Sequence, residues 1–313
     1  MEEQKKSKKY LLIILAAVVL ILVFLMPGCM SRYLFPKDDV PEETYDSFSV
    51  IRIEGTIGSD PSDGYNHEAL MEYVDYLMED ETNHGIFLLV NSGGGAVYES
   101  DEFYLKLQDY KEKTGRPIYA YFTDTAASGA YYISCAADYI SGNRNGLTGS
   151  IGVIISYLNY TGLYDKLGVT EEIISSGPNK AMGHSGIPLT DEQRAIFQSI
   201  VDEAYEQFVG IVAAGRGLSE ERVRELADGR VYTMLQAKEL GLIDEVETLD
   251  EALEKMEHEC GYPSFEPDFS VPVSIFDVII GKVEHVMPKS DLQIIQEKAE
   301  SSLNGVPLYL YVR

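Results

Sequence analysis

Apolar residues along this chain follow two patterns, short continuous runs and longer stretches in which they recur every three or four residues. The continuous runs indicate buried strands, and the spaced stretches indicate amphipathic helices. Strands are predicted over residues 48–53, 86–90, 118–122, 139–141 and 149–154. Helices are predicted over residues 67–79, 96–113, 190–214, 218–227 and 249–256. The early alternation of strand and helix is typical of an α/β fold with a mostly parallel sheet.

One hydroxyl stands out between two of these elements. The stretch from Thr123 to Ala137 reads TDTAASGAYYISCAA, so Ser128 lies between small residues, after a strand and before an apolar run with helical spacing. A serine on such a turn can present a nucleophile, and the free amides of the new helix favour a developing oxyanion. An ordinary N-cap serine would occupy the same position, so this stretch alone leaves both readings open.

Two other stretches carry candidate chemistry. Residues 86–95 read IFLLVNSGGG, an apolar strand that ends in three glycines. Glycine lets another backbone approach closely, and the amides of Gly95 and Gly129 are candidate donors of an oxyanion hole, although a simple tight loop has the same pattern. Residues 173–182 read IISSGPNKAM and place Lys180 on a short Gly-Pro loop, where a lysine is usually solvated.

Four motifs occur together in an order and spacing that resemble the signal peptide peptidase A family of serine proteases. They are AASGAYYIS, NSGGGAVYES, TGSIGV and SSGPNKAM, and the similarity extends over about residues 48–256. The resemblance implies a ClpP/crotonase-like fold built from repeated ββα-type units. The sequence departs from the family in one place, because the loop that usually reads Ser-Pro-Gly-Gly is here Ser92-Gly93-Gly94-Gly95.

The resemblance also assigns residues by position. It implies a catalytic dyad in which Ser128 is the nucleophile and Lys180 is the general base. Ser150, within TGSIGV, is implied to hold the Lys180 amine in place, although a structural hydroxyl bonded to local backbone fits this residue as well. A lysine in water has a pKa of about 10.4 and is a poor base at neutral pH. The dyad therefore requires burial of the Lys180 amine, which favours its neutral form.

The family also implies partners. Its members assemble as homo-oligomeric rings, and the lysine comes either from the same subunit or from a neighbour, so an isolated monomer is expected to be inactive. Apolar peptides such as signal-peptide remnants are the expected substrates. An extended peptide is expected to bind as an added strand along the glycine-rich edge.

Three alternatives compete with the dyad. A Ser–His–Asp triad would use His184 and Asp124 with Ser128, although triads are recognised only by geometry. A non-catalytic, membrane-tethered peptide-binding or assembly module would keep the fold without the chemistry. An acyl-CoA enzyme of the crotonase type uses similar glycine amides, but the expected location of the domain outside the cytoplasm removes its substrate.

Composition excludes several classes of function. The formal net charge is −26, and nucleic acid is an unsuitable partner for such an acidic chain because its affinity depends largely on Lys and Arg. Three cysteines, Cys29, Cys135 and Cys260, match no zinc motif and predict no essential disulfide. The five histidines include no metal-binding motif, so neither a metal nor a cofactor is expected.

The chain is predicted to contain five regions. Residues 1–9 form a basic cytoplasmic tail, 10–28 a transmembrane anchor, 29–47 a linker, 48–258 the catalytic domain and 259–313 a C-terminal extension. The basic flank predicts a single-pass plasma-membrane protein of bacterial type whose catalytic domain lies outside the cytoplasm. There are two alternatives to an anchor: a cleaved signal peptide, or a lipoprotein signal that ends at Gly28-Cys29. The apolar end, residues 306–312, suggests an extended tail that lies in a peptide groove.

Overall fold

The computed structural model of this chain describes residues 45–58 and 64–267 and the backbone of Leu308–Leu310. The predicted anchor, nearly all of the predicted linker, Cys29 and most of the C-terminal extension lie outside the described residues. Within the described part of the chain, none of the helices combines the length and the apolar character that crossing a bilayer requires.

The described strands form one sheet, in which most neighbours are parallel. In chain order they are β1 (Ser47–Ile57), β2 (Asn83–Ala96), β3 (Ile118–Ala127), β4 (Tyr139–Gly142), β5 (Leu147–Gly149), β6 (Val231–Thr233), β7 (Glu245–Val246), β8 (Ser264–Phe265) and β9 (Leu308–Leu310). The order across the sheet is β6-β5-β3-β2-β1-β8, with β4 between β3 and β7, and with β9 on β2. The β5–β6 and β2–β9 pairs are antiparallel, and the other pairs are parallel.

Most of the helices occur where periodicity predicts them, but those at Thr161–Leu167 and Met234–Glu239 were not predicted. They are α1 (His67–Glu79), α2 (Val97–Thr114), α3 (Gly129–Ser134), α4 (Thr161–Leu167), α5 (Asp191–Arg216), α6 (Glu220–Leu226), α7 (Met234–Glu239) and α8 (Leu249–Cys260). Thr190 begins α5 with a capping box, since its hydroxyl accepts the amide of Gln193. The predicted α/β class with a mostly parallel sheet is confirmed.

Two strand predictions need correction at the centre of the sheet. The prediction that the strand of residues 86–90 gives way to a glycine turn is wrong, because β2 continues through the glycines to Ala96. The predicted strand over 149–154 is also wrong, because β5 ends at Gly149. Ser150 has a φ of 50°, and an extended strand requires a negative φ.

Helices cover both faces of the central strands. On one face α8 packs against alternate residues of β1, β2 and β3, and the buried cluster is Phe48, Val50, Phe87, Leu89, Tyr119, Tyr121, Ala252 and Met256. On the other face Ser49 of β1 shares a 2.6 Å hydrogen bond with the Tyr73 hydroxyl of α1. Cys135 is a free, buried thiol as expected for a core residue, and burial raises its pKa to about 12.

The end of β2 packs closely against β1. A Cβ atom at Gly95 would lie 1.9 Å from the carbonyl oxygen of Ile57 and 2.7 Å from its nitrogen. Both atoms are backbone in a paired strand and cannot move aside without breaking the β1–β2 ladder. The third glycine of this run is therefore required by packing, whatever its amide does.

We expect Gly95→Ala to lower the free energy of unfolding by about 3 kcal/mol or more, as overpacking does in a dense interior. Gly210→Ala is the matched control, because a Cβ there meets no atom within 4 Å. Alanine in the interior of α5 should stabilise the fold by about 0.5–1 kcal/mol relative to glycine. Urea unfolding of both variants measures the contrast, and equal midpoints would contradict the close β1–β2 contact.

Candidate active site

Ser128 occupies a sharp turn between β3 and α3. Its backbone has φ 56° and ψ −120°, a region that residues with a Cβ rarely adopt. Two hydrogen bonds hold the turn: the Ser128 amide donates to the Gly149 carbonyl at 2.8 Å, and the Ser128 carbonyl accepts from the Tyr132 amide at 2.9 Å. A backbone in such a region costs about 1–3 kcal/mol and persists only where its surroundings enforce it.

The hydroxyl of Ser128 has no partner within the described structure. The residue is 1% exposed, and its Oγ makes no hydrogen bond to any residue that the structure describes. It occupies the N-cap position of α3 but makes no capping bond. An ordinary N-cap serine satisfies a helix amide, so the structural reading of Ser128 is not supported. A buried hydroxyl without a partner calls for a functional explanation.

The glycine run and the serine turn meet at the same end of neighbouring strands. Ser92 of β2 pairs with Ala126 of β3, so Gly94 and Ser128 each lie two residues beyond a paired position. Helix α3 packs against β2 directly after the turn. The structure thus brings Gly95 and Gly129, the predicted oxyanion-hole residues, to the end of the sheet that carries Ser128.

Ser150 also lies in this region. Gly149, which accepts the Ser128 amide, pairs with Ala127, and Ser150 is the next residue. The Ser150 amide donates to the Arg230 carbonyl at 2.8 Å. Ser128 and Ser150 are the two non-glycine residues with positive φ in the described part of the chain. The predicted accessory serine therefore lies close to the predicted nucleophile, and both have a backbone φ that is unusual for a residue with a Cβ.

Lys180 is not brought to Ser128 within one chain. It lies in a turn that precedes α5, where its own amide donates to the Gly177 carbonyl at 3.2 Å. Its side chain is exposed and forms neither a hydrogen bond nor an ion pair with a described residue. Among the described residues, therefore, the Ser128 hydroxyl has no base beside it and the Lys180 amine has no bonding partner.

The triad residues are not assembled either. His184 is exposed and its Nδ1 lies 3.3 Å from a carboxylate oxygen of Glu171. Asp124 lies on the exposed side of β3. Since Ser128 Oγ has no partner among the described residues, Ser128, His184 and Asp124 do not form a triad there.

Two supporting residues were not predicted from the sequence. The Ser92 hydroxyl donates to the Gly55 carbonyl at 2.6 Å and accepts the Gly94 amide at 3.1 Å, which fixes the start of the glycine run. Tyr132 anchors α3, because its hydroxyl donates to Asp101 at 2.5 Å and accepts from Gln207 at 2.8 Å. A serine before glycines is a known turn signal, but nothing local reveals the partners of Tyr132.

The chain matches known peptidases over the region of this site. Residues 110–262 match the model of peptidase family S49. A protein of Enterococcus faecium named "Putative signal peptide peptidase SppA" is 43% identical over 195 residues, which is 62% of this chain and 56% of that protein. A protein of Methanocaldococcus jannaschii named as a putative protease is 38% identical over 184 residues, 59% of this chain and 58% of that protein. Protease 4 of Haemophilus influenzae is 32% identical over 211 residues, 67% of this chain and 34% of that protein.

The fold, the serine turn and these matches together show the class of protein. A parallel-rich α/β domain with a serine on a strained strand-to-helix turn, similar to proteins named as peptidases, defines a peptidase-type domain. Residues 110–262 are therefore a peptidase family S49 domain, and this domain is similar to proteins named as signal peptide peptidase A. The chain spans little more than half the length of the first two relatives described above.

The strain at Ser128 predicts an unusual order of stability. We expect Ser128→Ala to be more stable than the wild type by about 1–3 kcal/mol, because it removes a buried hydroxyl without a partner. Ser128→Gly should be at least as stable as the alanine variant, since glycine adopts φ 56° without a Cβ clash. Urea unfolding measures the series.

Ser134→Ala is the control for this series. Its hydroxyl is also buried in α3 but donates to the Ala130 carbonyl at 2.7 Å, so its removal should not stabilise the protein. A glycine variant clearly less stable than Ser128→Ala would show that the turn carries no strain.

Proposed function

We propose that this chain is a serine endopeptidase that hydrolyses apolar peptides, such as remnants of signal peptides, with a Ser128–Lys180 dyad on a ClpP/crotonase-like fold. The observation that carries the proposal is the buried, unpartnered hydroxyl of Ser128 on a turn that local hydrogen bonds hold in a strained geometry. The peptidase family S49 domain and the parallel-rich sheet support it.

In the proposed reaction a neutral lysine amine takes the Ser128 proton. The alkoxide attacks the peptide carbonyl, and the amides of Gly95 and Gly129 stabilise the oxyanion. Collapse of the tetrahedral intermediate breaks the C–N bond, and the protonated lysine donates its proton to the leaving amine. Water, deprotonated by the same lysine, then releases the acyl group from Ser128. Ser150 is proposed to hold the amine during these steps.

The base is proposed to come from a neighbouring subunit of a homo-oligomeric ring. Lys180 lies in a stretch that exposes large apolar side chains to solvent: Ile154, Leu158, Leu163, Leu167, Val169, Ile174, Ile187 and Ile200. Exposed apolar residues in this number favour a protein interface. Burial of this stretch against a second copy would also shield the Lys180 amine, which the dyad requires.

A membrane location is part of the proposal. The segment of residues 10–28 is proposed to anchor the domain on the outer face of a plasma membrane, where apolar peptides released from the bilayer would reach it.

The dyad predicts the loss of activity in single variants and its return in a mixture. Ser128→Ala and Lys180→Ala should each lower the rate on an apolar peptide by at least about 10³-fold while keeping the fold. Lys180→Arg should fail as well, because arginine stays protonated in proteins. When the two alanine variants are unfolded together and refolded, about a quarter of the sites in a random ring should contain both functional residues.

The outcomes separate the candidate mechanisms. Return of activity in the mixture places the two residues on different subunits, whereas an inactive mixture with inactive single variants indicates a dyad within one chain. Near-normal turnover of either variant would rule out the dyad. Failure of a fluorophosphonate to label Ser128 in the wild type would favour the non-catalytic peptide-binding module.

The exposed apolar stretch predicts a site-specific effect on assembly. Leu167→Asp should lower the particle mass measured by light scattering and reduce peptidase activity, because Leu167 is 63% exposed in the isolated chain. Leu235→Asp is the control, since Leu235 is 59% exposed but lies outside the stretch. Both variants should keep the wild-type far-UV circular dichroism spectrum, which shows that the subunit still folds. An unchanged mass and activity for Leu167→Asp would contradict the proposed interface.

A further inference from the structure

Helix α5 is buried against the rest of the domain only near its C-terminal end. Its buried residues are Phe208, Val209 and Val212. In the described structure none of residues 191–207 is buried. Asp191 lies 16 positions before Gln207. At about 1.5 Å per residue, this part of the helix is about 24 Å long. Residues 191–207 therefore form an arm that is attached to the core at one end.

The far end of this arm carries the loop of Lys180. The side-chain amide of Gln193 donates to the Pro178 carbonyl at 3.2 Å, and the side-chain amide of Asn179 donates to the Glu192 carboxylate at 3.5 Å. Pro178 and Asn179 directly precede Lys180. The position of the lysine therefore follows the position of the N-terminal end of α5.

The attached end of the arm meets α3, the helix that follows Ser128. Gln207 donates to the hydroxyl of Tyr132 at 2.8 Å, and the ring centroids of Tyr132 and Phe208 are 5.1 Å apart. Tyr132 is buried, and its amide donates to the Ser128 carbonyl. The Tyr132 hydroxyl gives its single proton to Asp101, so Gln207 is the donor in its own bond. One buried hydroxyl thus connects the serine turn with the base of the arm.

The two kinds of contact at the base of the arm constrain it differently. Apolar packing of Phe208 is non-directional, whereas the Gln207 hydrogen bond weakens steeply as its angle departs from linearity. A tilt of about 3° at the base moves the end of a helix of about 24 Å by about 1.3 Å. A displacement of about 1 Å at a reacting group can cost about 10²-fold in rate. A small change in orientation at Gln207 is therefore amplified at Lys180.

We propose that Gln207 is a positioning residue for the Lys180 amine. Its bond to Tyr132 sets the angle at which the arm presents the lysine to Ser128 of a second copy of the chain. This inference rests on the proposed function, in which the two residues of the dyad come from different subunits. Each chain then connects two sites, because the helix after its own Ser128 supports the arm that serves its neighbour.

The test uses mixed assemblies in which each chain supplies one residue of the dyad. A Ser128→Ala chain supplies only the lysine, and a Lys180→Ala chain supplies only the serine. Gln207→Ala in the lysine-supplying chain should lower kcat about tenfold by displacing the amine, with KM unchanged because substrate binds beside Ser128 of the other chain. The same substitution in the serine-supplying chain should lower kcat less than about twofold, because that arm carries no amine. A merely structural role of Gln207 would give equal losses in the two mixtures.

Gln198→Ala is the matched control on the same helix. The Gln198 side chain donates to Asp202 at 2.7 Å, so its bond lies within α5 and does not join the arm to α3. This substitution should leave kcat within about twofold in either chain, because an exposed bond inside the helix does not set the angle of the arm. Light scattering checks that all the mixtures form assemblies of equal mass.

The outcomes separate this inference from the proposed function. Equal losses in the two Gln207→Ala mixtures, or no loss in either, would overturn the positioning role and leave the shared dyad intact. An inactive mixture of the Ser128→Ala and Lys180→Ala chains beside an active wild type would contradict the sharing of the dyad between subunits, and this inference with it. A larger loss in the lysine-supplying chain would support both.

Discussion

The arrangement of the candidate site depends on the turn at which β3 leaves the sheet. A residue with a Cβ is held there at φ 56° by a hydrogen bond to the Gly149 carbonyl on one side and by the Tyr132 amide on the other. This constraint ends the β2–β3 pairing, begins α3 and directs the Ser128 hydroxyl into a buried position where no described residue bonds to it.

The surrounding packing maintains this constraint. Gly95 approaches the Ile57 carbonyl too closely for any side chain, which keeps β1 and β2 paired to their ends. Tyr132 ties α3 to Asp101 in α2 and to Gln207 in α5, so the helix after the turn cannot shift independently. Strain at one residue is thus balanced by well-packed contacts distributed over several elements.

The two predicted catalytic residues lie in contrasting surroundings. The serine lies within the core of the sheet, whereas the lysine lies in a stretch with many exposed apolar side chains. In the proposed dyad these two groups would have to meet. Under that proposal, assembly with a second copy of the chain would join them and would also bury the apolar surface.

The sequence by itself determined the α/β class, the positions of most helices and the serine turn, because apolar periodicity and small residues report local conformation and burial. Helix α1 was predicted to the residue, and the four motifs identified the family. Only the tertiary structure decided that β2 runs through its glycines, that Ser150 leaves the strand, and that β9 pairs with β2 at those glycines. These features depend on contacts between residues far apart in the chain, such as Gly95 with Ile57 and Tyr309, and no local pattern encodes such contacts.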